Sequence, residues 1–184
     1  MSGDLTSWVD RFLSQPIRHL LETPPRLLKG YVAPGMTVMD VGSGKGYYSL
    51  GMARLAGENG RVVSVDTRAD AIAALKEKAE RAGIANRIDT RLCHERDLGV
   101  GDLSEQIDFA LAVYVVHHAA DVVTLLKNVH AALKPGGKLL IIEPRHHASA
   151  AEREATEKTA QAAGFRKSRY PRLKRDWAVE FIKS

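Results

Sequence analysis

Residues 40–46 read Asp-Val-Gly-Ser-Gly-Lys-Gly, three glycines at alternate positions between an apolar run, TVMDVG over 37–42, and a helical pattern, YYSLGMARLA over 47–56. A strand that runs through a glycine turn into a helix brings bare backbone close to a ligand. The helix's first N–H groups are then left to meet a carboxylate or phosphate. This context points to an α/β fold with a nucleotide-type loop after its first strand. Such turns occur in many nucleotide-binding folds, so the class of ligand has to come from the residues around it.

The rest of the chain repeats the alternation. RVVSVD (61–66), IDTRLC (88–93), IDFALAV (107–113) and KLLIIE (138–143) are short, β-branched and nearly continuous in apolar character, as strands covered on both faces are. Between them lie two further helical stretches. RADAIAALKEKAERAG has Gly83 at its C-terminal end, and DVVTLLKNVHAALKPGG is ended by Pro135 and two glycines. Residues 95–105 are short and polar and carry no assignment. Strands alternating with helices predict a mostly parallel sheet with right-handed crossovers. The tail predicts a helix over SAAEREATEKTAQAAG, then two strands around a turn near Pro171, so that a hairpin adds an antiparallel strand. Residues 5–14 and 24–32 predict two short helices capping the sheet's carboxyl edge. The 184 residues suit a single domain, with 1–35 as the cap and 36–184 as the core.

Composition narrows the class. Cys93 is the only cysteine, which excludes an internal disulfide and a cysteine-built metal site and suits a cytoplasmic protein. No run of about 18 apolar residues exists and the N-terminus lacks a signal-peptide pattern, so no membrane association is expected. The net charge of +5 resides in the tail: residues 165–184 hold seven Lys/Arg and two Asp/Glu, whereas residues 1–164 hold 20 of each sign. A solvated positive edge fits this, and so does a surface for an acidic substrate or nucleic acid.

Asp66 ends the second strand 20 residues after Gly46. A carboxylate there can accept hydrogen bonds from both hydroxyls of a ribose, each worth about 1.5–3 kcal/mol. Two rival motifs fail. The third glycine of a dinucleotide fingerprint would fall at Tyr47, and the first glycine of a P-loop at Met39. Asp40 would repel a pyrophosphate but suits a ligand with a positive amino group.

In these residues the chain resembles the seven-stranded S-adenosylmethionine-dependent methyltransferases. The resemblance runs from about Met36 to Glu143, with a compatible tail. It rests also on Asp108-Phe109-Ala110-Leu111 and on Leu133-Lys134-Pro135-Gly136-Gly137-Lys138-Leu139. It implies a Rossmann-like, doubly wound sheet in the order 3-2-1-4-5-7-6, strand 7 antiparallel, with helices on both faces. It implies S-adenosylmethionine as cofactor and S-adenosylhomocysteine as product. Asp40 and the backbone at Gly42 and Gly44 would hold the methionine end, with Ser43 and Gly46 in the same loop. Asp66, followed by Thr67, would hold the ribose. His94 stands where the family usually has an acid that contacts adenine; Glu95 beside it could serve instead. Ala112-Val113-Tyr114 would border the methyl group. The Asn/Asp-Pro-Pro-aromatic motif of base-methylating relatives is absent there.

His117-His118 follow strand four, and His146-His147 follow strand five, with Glu143 just before. Both loops should open on the carboxyl edge, where doubly wound folds bind ligands. Three readings stay open. His117, His118 or His146 is a general base or substrate contact; Glu143, His117 and His146 form a metal site; or all are polar loop residues. Adjacent histidines point apart, so at most one of each pair faces the pocket. Tyr31, Tyr47, Tyr48 and Tyr114 are expected to pack, as are Trp8 with Phe12, and Cys93 to be a buried apolar residue. The expected acceptor is a small molecule. RNA or protein, met through Arg166, Lys167, Arg169, Arg172, Lys174 and Arg175, is the alternative, and a non-catalytic cofactor-binding relative is another. A monomer or homodimer is expected, with no metal.

Overall fold

The computed structural model describes residues 24–94, 96–145 and 149–184. A short helix α1 (Pro24–Leu28) leads to β1 (Thr37–Val41), α2 (Tyr47–Ala56), β2 (Arg61–Asp66) and α3 (Ala69–Arg81). Then come β3 (Ile88–Leu92), β4 (Ile107–Val113), α4 (Val122–Ala132), β5 (Leu133–Pro144), α5 (Ala150–Ala162), β6 (Phe165–Arg169) and β7 (Asp176–Lys183). The predicted helix over 5–14, with Trp8 and Phe12, lies outside the described residues.

The strands form one seven-stranded sheet in the order β3-β2-β1-β4-β5-β7-β6. β1 to β5 pair in parallel, and β7 runs antiparallel to both β5 and β6. Alternation along the strands fills two cores. Met39, Val41, Val63, Val65, Ala110, Ala112, Leu139, Ile141, Val179 and Phe181 meet α4 and α5 on one face. Val38, Val62, Phe109, Leu111, Leu140, Ile142 and Ala178 meet α1 and α2 on the other. Each fully buried aliphatic side chain contributes about 1.5–3 kcal/mol, which is what holds the helices on.

Local sequence explains the helix ends. α3 buries Ala71, Ile72, Leu75 and Ala79, a 3.6-residue stripe, and stops where Gly83 turns left-handed at φ +66. α4 starts on Asp121, whose carboxylate accepts the Thr124 N–H at 2.9 Å. It ends at Ala132, short of the Pro135-Gly136-Gly137 stop that the sequence predicts. β5 begins at Leu133, which pairs with Ile107 before a register shift toward Phe109. Pro135 disfavours helical geometry at Lys134, and Leu133 gains full burial on the strand. β3 also departs from expectation. It is a half-exposed edge rather than a strand covered on both faces: Leu92 is exposed, and Arg91 pairs with Asp89 and Asp102. Residues 95–105 supply a short 3-10 turn at Gly101–Leu103.

β1, β2, β4 and β5 all end on one edge. Because β7 runs the other way, it starts there, with Asp176 paired to Pro144. The glycine loop, the loops after β4 and β5 and the β6–β7 turn therefore share that edge.

Candidate active site

The three glycines of the β1–α2 loop have different surroundings. A Cβ at Gly42, where φ is +66, would lie 2.4 Å from Val115 Cγ2. One at Gly46, at φ +84, would lie 2.2 Å from Leu75 Cδ1. These two glycines let the loop pack against the post-β4 segment and against α3. Gly44 has nothing within 4 Å of that position, so its backbone faces open space. The loop thus leaves room for a ligand at its middle and is fixed at both ends.

Asp66, only 9% exposed, closes the other side. Its carboxylate accepts the Gly44 N–H at 2.7 Å and the Arg68 N–H at 2.9 Å. Each carboxylate oxygen can accept a second bond, so capacity for ribose hydroxyls remains. The Gly44 amide, expected at the methionine end, is turned toward this acid. Asp40 is 2% exposed and accepts from the Ser49 hydroxyl of α2 at 2.5 Å, which fixes the carboxylate at the start of the loop. Ser43 is held by its N–H to the Val65 carbonyl, and its Oγ is buried with no hydrogen-bond partner among the described residues. An unsatisfied buried hydroxyl costs about 1–3 kcal/mol, which a polar ligand can recover. The open middle glycine, the orphaned Ser43 hydroxyl and the two acids fit a nucleoside with a polar tail. Thr67 and His94 are exposed beside Asp66; Glu95 lies outside the described residues. Cys93 is buried, with its thiol pushed up to about 11 by burial and then by nearby Asp66, which disfavours a nucleophilic thiolate.

Ala112 pairs with Val41 at the end of β4, directly beside the glycine loop. Two residues on, Tyr114 sits at φ +60, a left-handed conformation that is strained for a bulky side chain. Its N–H donates to the Ile142 carbonyl at 2.8 Å, and its hydroxyl to Asp176 Oδ1 at 2.8 Å. The chain then turns so that Val115 supports Gly42 and a 3-10 turn, Val116–His118, crosses the end of β5.

That turn builds a pair. Glu143, 3% exposed on β5, accepts the Val116 N–H at 2.8 Å with Oε1, and its Oε2 contacts His117 Nδ1. The His117 side chain is 16% exposed. His118 is exposed, with its ring 3.8 Å from that of His117. The two rings therefore lie against each other, in contrast to the expectation that adjacent histidines point apart. α5 borders the pair: the Ser149 hydroxyl holds the Glu152 carboxyl below the usual range, with nearby His117 adding a smaller effect. His146 lies outside the described residues, and among those described no cluster of three or more His, Cys, Asp or Glu could hold a metal ion.

The other tyrosines pack as expected. Tyr31 stacks on Phe109 at 5.1 Å, and Tyr47 meets Tyr48 edge-on. In the basic tail, Lys167 bonds Glu157 at 2.7 Å and Arg169 bonds buried Glu180 at 2.9 Å. Arg166, Arg172, Lys174 and Arg175 are exposed. Among the described residues no helix is long and apolar enough to cross a membrane.

Comparison with known proteins sets this geometry in a family. The profile described as a methyltransferase domain matches residues 33–177. A ubiquinone biosynthesis O-methyltransferase of Nitrobacter winogradskyi is 38% identical over 105 residues, 57% of this chain and 37% of that protein. A protein-L-isoaspartate O-methyltransferase of Triticum aestivum is 33% identical over 127 residues, 67% of this chain and 52% of that one. The chain thus spans from about a third to a half of the length of the curated relatives it matches. The crystal structure of a SAM-dependent methyltransferase from Aquifex aeolicus covers all of both chains with a TM-score of 0.86 at 22% identity, which shows a shared fold. On the profile match and the seven-stranded order together, the chain belongs to the methyltransferase domain family, among the S-adenosylmethionine-dependent methyltransferases.

Proposed function

We propose that the chain transfers a methyl group from S-adenosylmethionine to a small-molecule acceptor, with residues 1–184 acting as one catalytic unit. Asp66 takes the ribose hydroxyls, Gly44 lets the ligand approach the backbone, Ser43 Oγ satisfies a polar group of the ligand, and Asp40 faces the amino end. Bound there, the cofactor supplies a methyl group on a sulfonium, already activated for in-line displacement. The chain's own part is to align two ligands, which contributes about 7–11 kcal/mol. A water-poor site helps further, because positive charge is lost during transfer.

One observation favours a small acceptor over nucleic acid. Of the six tail cations available for phosphate contact, Lys167 and Arg169 are engaged by Glu157 and Glu180. Pairing to those acids offsets part of the tail's positive charge, which weakens its pull on a phosphate backbone.

The test is thermal unfolding with S-adenosylmethionine, S-adenosylhomocysteine and NAD in turn. A ligand at 100 times its Kd stabilises by about 2.7 kcal/mol. For a chain of this size that raises Tm by roughly 5–10 °C. A rise with both sulfur nucleotides that disappears in Asp66→Ala is the expected result. No rise with either, or a rise with NAD alone, removes the proposal. Tight RNA binding that collapses between low and moderate salt would move the acceptor to nucleic acid.

A further inference from the structure

The geometry points to an anion subsite at the carboxyl edge of the sheet, in which Arg145 and Arg153 hold a carboxylate or phosphate group of the small-molecule acceptor. This rests on the methyl-transfer reading above and adds the charge class of the acceptor.

Placement comes first. Arg145 follows the last residue of β5, and Arg153 lies in the first turn of α5. Arg145 donates from Nε and Nη2 to the carbonyls of Asp176 and Leu173, both at 3.2 Å, so the β6–β7 turn lies against it. Arg153 donates from Nη2 to the Arg145 carbonyl at 3.1 Å, and its guanidinium lies 5.8 Å from the centre of the Trp177 ring. Trp177 is paired with Glu143 across β7 and β5, so the two side chains share a face of the sheet. Glu143 holds the Val116 amide of the turn after β4, and Val115 of that turn packs on Gly42. Strand order agrees: β1 leads into the glycine loop, β4 and β5 come next, and β7 lies beyond them. An acceptor lying along this edge meets the cofactor at one end and the two arginines at the other.

Charge comes second. Among the described residues neither arginine forms an ion pair, and all three of their hydrogen bonds go to neutral carbonyls. By contrast, Arg91 and Arg169 each sit on a carboxylate. The acids of this edge are engaged by other groups: Glu143 by the Val116 amide and His117, Glu152 by Ser149, and Asp176 by the Tyr114 hydroxyl. Arg153 Nε is buried with no hydrogen-bond partner among the described residues, so this guanidinium is partly stripped of water without gaining a counter-charge. Such a charge is unfavourable until an anion meets it. The indole beneath Arg153 fixes the plane of the guanidinium, and Nη1 of each arginine keeps its donors for a ligand. A guanidinium fork of this kind matches carboxylate and phosphate oxygens.

The arrangement also selects the size of the ligand. The two arginines are joined through one carbonyl, so their charge is concentrated at one end of the edge. That suits a single anionic group of a small molecule, whereas a nucleic acid needs a row of contacts along its backbone. Arg172, Lys174 and Arg175 of the adjoining turn are exposed and draw an anion toward the pair without being needed to hold it. The acidic substrate that the basic tail suits is therefore met mainly by two residues outside the tail, with the tail's turn around them.

The test is binding of three ring-matched probes, benzoate, phenyl phosphate and the neutral benzamide, to the full chain. Affinity is measured by calorimetry, and the place of binding by the indole N–H signal of Trp177 in NMR spectra. Titrations with and without S-adenosylhomocysteine separate failure of this inference, which concerns the probes, from failure of the methyl-transfer reading, which concerns the nucleotide. The wild type is expected to bind at least one anion about 10–100-fold more tightly than benzamide, with a shift of the Trp177 signal and an affinity that falls as salt rises. Preference for benzoate identifies a carboxylate acceptor, and preference for phenyl phosphate a phosphorylated one. Arg153→Met, which keeps an apolar stem over Trp177, and Arg145→Gln, which can still donate to the carbonyls of the turn, should each lower the affinity for the anion and leave that for benzamide little changed. Arg153→Lys, which keeps the charge but loses the fork, should fall between. If the arginines only staple β5, α5 and the β6–β7 turn together, the variants lose melting temperature and weaken all three probes alike, and that result overturns the inference. Equal affinity of the wild type for the three probes overturns it, as does absence of binding by any of them. Single-stranded RNA that binds more tightly than either anion, and weakens with the same substitutions, overturns it too and assigns the arginines to nucleic acid.

Discussion

At the scale of single residues, the glycines of the β1–α2 loop separate packing from ligand access. Gly42 and Gly44 both have left-handed backbones, at φ +66 and +52. A side chain in that conformation costs about 1–2 kcal/mol at either position. Only at Gly42 does the new Cβ collide, 2.4 Å from Val115 Cγ2. Overpacking adds about 1–3 kcal/mol. Gly42→Ala is therefore expected to destabilise the protein by about 2–5 kcal/mol and to disturb the turn that presents His117. Gly44→Ala should cost only the backbone strain, yet weaken S-adenosylhomocysteine binding, because its Cβ would enter the open space of the cradle. Urea unfolding and product-nucleotide affinity, measured on both variants, would reveal this crossed pattern. Equal loss of stability in the two would show that Val115 moves aside and that Gly42 has no packing role.

At the scale of elements, α5 shows how a helix with few buried residues is held. Among its described residues only Ala160 is buried, so its start depends on local bonds. The Ser149 hydroxyl accepts the Glu152 N–H at 3.3 Å, and the Glu152 carboxylate accepts the Ser149 N–H at 2.6 Å. Ser149→Ala should cost about 0.5–2 kcal/mol. It should also speed amide exchange at residues 150–153 ahead of the rest of the chain; uniform exchange along α5 would contradict that. The start of α5 was legible, and so were all seven strands and the helix over 47–56, because period and punctuation are local properties. The α4–β5 junction was not, since Pro135 marks a stop without saying how far back the helix ends. β3 read as fully covered because Ile88 and Leu92 resemble core residues, while its edge position depends on the order of the other strands. At the site, the glycine loop and Asp66 stand out by spacing alone. The bond between His117 and Glu143 joins residues 26 apart and needs the parallel pairing of β4 and β5. Nothing local marks Tyr114 as left-handed.

For the whole molecule, stability between mildly acidic and neutral pH should depend on a second histidine, far from the glycine loop in sequence. His130 on α4 meets Phe165 of β6 edge-on at 5.0 Å, and its Nε2 is buried beside the Gly164 backbone. Burial lowers its pKa from 6.5; Lys183 of β7 lowers it further, while Gly164 and Glu105 oppose the shift. The sign follows from where the proton binds. Just below pH 6.5 the unfolded chain takes up a proton at this position more readily than the folded one. Stability is therefore complete above 6.5 and falls as pH drops toward the depressed folded value, then levels. The carboxylates with lowered values, such as Glu180 beside Arg169, act at lower pH, where their paired charge is lost. Melting temperatures from pH 7.5 to 5 should decline in the wild type and decline less in His130→Gln, which cannot take up the proton. The decline should also shrink in Lys183→Met, because removing the ammonium eases charging of the ring, although that variant starts less stable for want of the bond to the Leu133 carbonyl. Identical slopes in wild type and His130→Gln would mean that the α4, β6 and β7 contact opens enough to hydrate His130. The acid sensitivity of the fold would then have to arise elsewhere.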